Sequence, residues 1–392
     1  MSIKLIIQSL FIGLLSGAIY LGFSNSLEYF DYLRQKLDWL VLLLPIAFIC
    51  SFYIRYKTLY FPQKISDLEE SQTTDVISIW NRKMSLFHYF GAHLSHLFGA
   101  SVGREGVIVM VTSGFVTFMN MNLQFWIPVS AAIGFAVVTG SKWISLIFLI
   151  EMYRTTMQQK ILAFIGAWAG LLLVETFKLE ALFRISDFKD SSLFFDRIMF
   201  CLSMAVFCGL ISYGYKKIYF YLSSQSKKHF WFSFAVVCFL SIFLYLKPFQ
   251  SLQSLSLGMV QYYVHTSQYT FTDLSFIVLK IILTVLFVSL GFYGGEYVPL
   301  AVSGASLGIL MASIFNVPIW FGMSLGAFLI LSGVTQLKWS FLLLALILSD
   351  WNYIILFYVT FSISNRIAGE ESLYYKNKDK TSIFKTNMFV FR

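Results

Sequence analysis

Charge is scarce in this chain: Asp, Glu, Lys and Arg make up only 12% of its 392 residues, against about 25% in a soluble domain. That scarcity excludes a water-exposed surface wrapped around one small core. Cysteine is equally sparse. Cys50, Cys201, Cys208 and Cys238 lie inside apolar runs without the CxxC spacing of a metal site, and they read as small core residues. His93 and His96 sit three apart with no partner carboxylate nearby, so packing or polar contacts are expected and no metal site. No HExxH or GxGD motif occurs, no GxSxG nucleophile elbow is read, and an enzyme is not expected. No cofactor is expected either.

What is present is apolar sequence. Hydrophobic residues make up 58% of the chain and its mean hydropathy is +0.72. A helix needs roughly 20 residues to cross a ~30 Å hydrocarbon core. Leu5 to Phe23, Ile198 to Tyr215 and Phe230 to Leu246 have about that length, and Trp39 to Ile54 is shorter. The first of these is expected to be a span rather than a cleaved signal segment. Val107 to Ser141 and Tyr297 to Leu337 contain no charged residue. Each must hold more than one helix, reversed at turn residues such as Asn120, Met121 and Asn122. Only helices satisfy their own backbone in lipid, so the chain is expected to be an all-α polytopic membrane protein of ten or more helical segments.

The formal charge of +9 does not point to nucleic acid. Its excess sits beside the apolar runs, at Lys216, Lys217, Lys227 and Lys228, which are expected to border one loop, and in a tail holding Lys376, Lys378, Lys380, Lys385 and Arg392. Such flanking clusters are expected to face the cytoplasm. Charges also crowd between Arg55 and Lys83 and between Lys178 and Arg197. The second cluster divides the chain into halves at 1–180, with a polar linker at 55–83, and 181–375, followed by a basic tail at 376–392. The halves echo each other. Gly103-Arg104-Glu105 opens one uncharged stretch and Gly294-Gly295-Glu296 the other, and Ser113-Gly114 and Ser303-Gly304 follow. Paired Gly-interrupted apolar segments are the best sequence pointer to a midplane binding site in transporters.

In Gly99 to Val107, two charges stand between apolar helices beside three glycines. A helix starting near Arg104 would present unpaired N–H groups and partial positive charge, a natural anion site. Glu105 in that field could stand in for the anion and exchange protons. The alternative is an Arg104–Glu105 ion pair at a membrane surface. Glu296 could likewise pair with Lys280, Lys338 or Arg104, and Lys280 itself is expected to meet an acid or to snorkel.

His96-Leu97-Phe98-Gly99 with Gly103-Arg104-Glu105-Gly106 resembles the GREG anion-pathway motif of the CLC family of chloride channels and transporters. Phe276 to Thr284, Gly294 to Leu300, and Gly304-Ala305 with Leu307-Gly308 resemble that family's second-half signature. Ala131 to Glu151 resembles the segment after the gate, and Ser372-Leu373-Tyr374 the late motif that supplies a Tyr hydroxyl. The chain is most similar to the fluoride/proton antiporter branch, because Glu296 follows the paired glycines. It departs from the family in lacking a clear first-half GxGxP-like segment, for which Phe61-Pro62-Gln63-Lys64 is a poor stand-in. Val298 stands where the branch often has threonine, Lys142 where it has proline, and Gly140 where it has a polar residue.

The resemblance implies a CLC-type fold of two inverted repeats with broken and tilted helices. It also implies a multi-pass homodimer in the bacterial inner (plasma) membrane that exports fluoride in exchange for protons. Glu105 and Glu296 would serve gating and proton coupling. Gly103, Arg104, Gly106, Val107, Tyr297, Val298 and Tyr374 would bind the anion. Its partners would be fluoride or chloride, protons and the lipid bilayer. A protonated carboxyl suits fluoride, which is small, basic and tightly hydrated, because it donates a short hydrogen bond. A chloride or nitrate antiporter or channel of the same fold, and a family member that does not transport, are the alternatives.

Overall fold

The structure, a computed structural model, describes residues 2–57, 82–119, 121–153, 155–177, 194–265 and 270–373. Among them the chain is built from α-helices: α1 (Ile3–Lys36), α2 (Leu44–Lys57), α3 (Arg82–Leu97), α4 (Glu105–Phe115), α5 (Leu123–Thr139), α6 (Lys142–Met152), α7 (Met157–Thr176), α8 (Phe194–Lys228), α9 (Phe230–Tyr245), α10 (Leu257–His265), α11 (Phe271–Leu290), α12 (Tyr297–Ile314), α13 (Ile319–Thr335), α14 (Lys338–Leu348) and α15 (Ile354–Ala368). Five of these, α1, α7, α8, α11 and α12, are long and apolar enough to cross a membrane unaided. Several others are short and broken. The expected division after residue 180, most of the 55–83 linker, the stand-in segment at 61–64, Tyr374 and the tail at 376–392 lie outside the described residues.

Both uncharged stretches fold as expected into successive helices. After α4 a short 3-10 turn leads to α5, which Asn122 caps by accepting a hydrogen bond from the Phe125 N–H at 3.3 Å. The chain then repeats its own plan. Helices α5 and α13 are each 17 residues long, and α6 and α14 each 11. The spacing from Leu123 to Ile319 equals that from Lys142 to Lys338. The long helices α1 and α8 match likewise, at 34 and 35 residues. At the end of α5 and of α13 the chain turns in the left-handed region, at Gly140 (φ 76°) and Gln336 (φ 62°).

Glycines set the tightest packing. On α1, Gly13 and Gly17 lie against Gly166 and Gly170 of α7, so that a Cβ on Gly13 would collide with the Gly166 carbonyl. In the second half, Gly304 and Gly308 of α12 meet Gly326 and Gly322 of α13 in the same way. Each pair follows the GxxxG spacing. Without a hydrophobic driving force inside lipid, helices associate through such close backbone approach and the dispersion it permits.

Two sequence expectations change. Lys216 and Lys217 do not border a loop: both lie within α8, where buried Lys216 donates to the carbonyls of Gly369 (3.1 Å) and Glu371 (2.6 Å). Of the cysteines, Cys201 and Cys208 are buried, but Cys50 is exposed on α2.

Candidate functional site

The two broken segments meet. The loops before α4 and α12 run antiparallel through a bridge between Gly103 and Gly295: each donates its N–H to the other's carbonyl, from Gly295 to Gly103 at 2.8 Å. Bare backbone is required at this crossing. A Cβ on Gly103 would lie 3.0 Å from Glu105 Oε2 and 3.1 Å from the Gly295 carbonyl. On the other strand Gly294 has φ 147° and faces the Val102 side chain. Helices α4 and α12 therefore begin side by side. Arg104 is the N-cap residue of one (φ −89°, ψ −22°) and Glu296 of the other (φ −91°, ψ −10°).

This register corrects the echo read from sequence. Gly103 pairs with Gly295, so Arg104 corresponds to Glu296 and Glu105 to Tyr297. The Gly-x-Glu match is one residue out of step. The sequence compared the glutamates, whereas the backbone compares the glycines that cross.

Glu105 is 1% exposed. Its Oε1 accepts from Arg104 Nε at 3.2 Å, while Oε2 is buried and makes no full hydrogen bond. The backbone N–H groups of Glu105 and Val298 face the carboxylate, so it stands where the positive ends of both helices converge. Arg104 is held from behind by α1, donating to Ser24 Oγ at 3.0 Å and Tyr20 Oη at 3.1 Å. The ion pair considered from sequence is therefore real but internal, with Glu105 and Arg104 both buried.

Glu296, 6% exposed, lies close enough to Tyr215 of α8 for its charge to act on that phenol. None of the three cations weighed as its partner is taken up there. Arg104 has the partners just named, Lys280 donates to the carbonyls of Leu252 and Ser254, and Lys338 lies near Ser362 and over the Trp339 and Tyr358 rings. The loop backbones meet as expected, but the two carboxylates face different neighbours.

The remaining site residues line the same junction. Gly106 packs on Gly295, with 3.5 Å between its would-be Cβ and the Gly295 Cα, and Val107 and Val298 are buried. The Tyr297 ring sits edge-on to Phe135 (5.9 Å) and beside Phe341 (5.7 Å). Just before Tyr374, Ser372 donates its hydroxyl to the Thr335 carbonyl (2.6 Å) and Leu373 its N–H to Val334 (3.2 Å). The chain there is tied to the end of α13. Lys142 lies over the Phe164 ring at 5.8 Å.

Three residues that sequence reasoning passed over support the site. Tyr20 and Ser24 hold Arg104 from a helix some eighty residues away in the chain, with no local pattern to mark them. Glu151 stands out in the sequence only as the end of an apolar segment, yet it accepts from the N–H groups of Trp339 (2.7 Å) and Ser340 (2.8 Å) and from Ser340 Oγ (2.5 Å). A buried acid in α6 thus caps α14. Among the described residues no group of three or more His, Cys, Asp or Glu could hold a metal ion.

Comparison with known proteins bears on this arrangement. The family model described as voltage gated chloride channel matches residues 42–369. No curated protein matches the chain in sequence. Among solved structures, a CLC-type fluoride/proton antiporter is similar with a TM-score of 0.82 at 22% identity, over 95% of this chain and 96% of that one. A slow cyanobacterial Cl-/H+ antiporter gives 0.81 at 17% identity, over the whole of both chains. A eukaryotic CLC transporter gives 0.76 at 13%, over 98% of this chain and 74% of that one. At these identities the structural likeness speaks for the fold.

Proposed function

We propose, for a chain that belongs to the voltage gated chloride channel family, that it carries fluoride out of the cell in exchange for protons, with Glu105 as the proton-coupled gate. The observation that carries this reading is the buried Glu105 carboxylate at the junction of two helix N-termini. Anions are stabilised at such ends, so a transported anion and the Glu105 carboxylate compete for one place. Protonation of Glu105 removes its charge, releases it from Arg104 and opens the place to the anion. Two half-charges from the helices and the full charge of Arg104 then favour whichever anion is present.

Glu296 and the likeness to a fluoride/proton antiporter motivate fluoride. In its protonated form Glu296 offers a strong donor on the second-half side of the junction, which a tightly hydrated ion needs in exchange for its water. Chloride is the second reading, favoured by Val298, which brings no hydroxyl to the site, and by an equally good fit to a Cl-/H+ antiporter. The inner membrane location, the homodimer and a role in transport rather than in chemical conversion belong to the same proposal.

Proteoliposomes loaded with fluoride or chloride and read with ion-selective electrodes test it. Fluoride efflux well above chloride efflux, with simultaneous proton entry, is expected. Faster chloride efflux would retire the fluoride assignment, and absence of either flux from well-folded protein would retire transport.

A further inference from the structure

Lys280 is fully buried in α11, yet its ammonium bonds to backbone carbonyls and not to an acid. Its ammonium donates to the carbonyls of Leu252 (3.0 Å) and Ser254 (2.6 Å), at the turn between α9 and α10. This turn is unusual: Ser254 (φ 53°) and Ser256 (φ 56°) both adopt the left-handed region that favours glycine. A conformation of that kind is strained in a residue that carries a Cβ and persists only where its surroundings over-determine it.

What the turn touches is the loop leading to the gate. The Ser254 N–H donates to the Gly99 carbonyl at 3.2 Å, and Ser254 Oγ bonds His96 Nδ1 at 3.2 Å. Gly99 (φ 83°) lies against the Gln253 side chain. One helical turn beyond Lys280, Thr284 shares a hydrogen bond with Ser101 at 3.0 Å. Two residues after Ser101 comes Gly103, which makes the bridge to Gly295. A single face of α11, in the second half, thus grips the first half's gate loop twice: directly through Thr284 and indirectly through Lys280.

The geometry points to Lys280 as a positioning residue for the Glu105 gate: its buried ammonium fixes the 252–254 turn, and the turn fixes Gly99 to Gly103 so that Glu105 meets the start of α12. Lys280 touches neither the anion place nor Glu105 in this arrangement and acts through the loop. This inference rests on the gate reading of Glu105.

Hydrogen exchange on the full-length protein, combined with efflux from proteoliposomes, tests it. In Lys280→Met, amides of residues 99–104 and 252–256 should exchange about tenfold faster while α1 and α8 keep their protection. Maximal anion efflux should fall about tenfold, less than the roughly hundredfold that a full ångström of misplacement can cost, with the half-saturating anion concentration little changed. Lys280→Arg, which keeps charge and donors, should restore most of both. If the Met variant does not fold, Lys280→Gln, which keeps one donor, should show the same local pattern more weakly. Unchanged exchange at 99–104 in folded variants would overturn the inference, and so would protection lost evenly across all helices. The exchange arm needs no transport, so it decides the tie even if Glu105→Gln leaves proton movement unaltered and the gate reading itself falls.

Discussion

The loop before α4 and the loop before α12 share one backbone and carry opposite chemistry. Both cross at a glycine, both place the next residue in nearly the same αR conformation as an N-cap, and both start a buried apolar helix. At the first equivalent position stands a cation, Arg104, held by Tyr20 and Ser24 of α1; its counterpart is an acid, Glu296, beside Tyr215 of α8. At the next stands Glu105, against the phenol of Tyr297. A doubled scaffold brings two helix N-termini together, and side chains that differ between the copies place one carboxylate, Glu105, where they converge, the proposed gate. Symmetry supplies the field, and asymmetry supplies the switch.

Forcing the crossing apart should have the largest effect. In Gly294→Val, a residue disfavoured at φ 147° would place its Cβ 2.5 Å from Val102 Cβ, and overpacking with strain costs ~3 kcal/mol or more. Loss of monodisperse protein on size-exclusion chromatography is expected. Arg104→Met leaves the comparison standing but removes its first-half cation. It strands Glu105 as an uncompensated buried charge, which costs about 3–5 kcal/mol, so a fall in thermal midpoint is expected together with loss of flux.

Glu296→Gln replaces an acidic, titratable donor at the second-half position with a weaker amide donor. It should narrow the preference for fluoride over chloride by about tenfold, the worth of roughly one charge-assisted hydrogen bond, while protons still move. Smallest is the effect of Glu151→Gln, which weakens the cap on α14 by about 1 kcal/mol. A shift of a few degrees in unfolding temperature without change in ion preference would register it.

Much of this architecture was legible in the sequence, and the reason is solvent. Lipid demands helices that satisfy their own backbone, so uncharged length, the turn at Asn122 and the break before Glu105 all show in composition. Which helix faces which does not show. In a uniformly apolar helix no polar face marks the buried side, and the GxxxG contacts of Gly13 with Gly166 and of Gly304 with Gly326 emerge only when the backbones touch. The one-residue error in register has the same origin. Matching glutamates is a statement about chemistry, whereas the bridge is made by backbone groups that every residue type carries. Lys280 was expected to meet an acid or to snorkel, because a buried charge asks for a partner or for water; it found two carbonyls of a strained turn, which no local pattern announces.

The asymmetry between the two loops is tested most directly by recording proton and anion movement together in proteoliposomes bearing Glu105→Gln. With the proposed gate replaced by an amide that cannot take up a proton, proton movement coupled to the anion gradient should fall to the level of empty liposomes. Proton entry at the wild-type ratio in that variant would contradict the account.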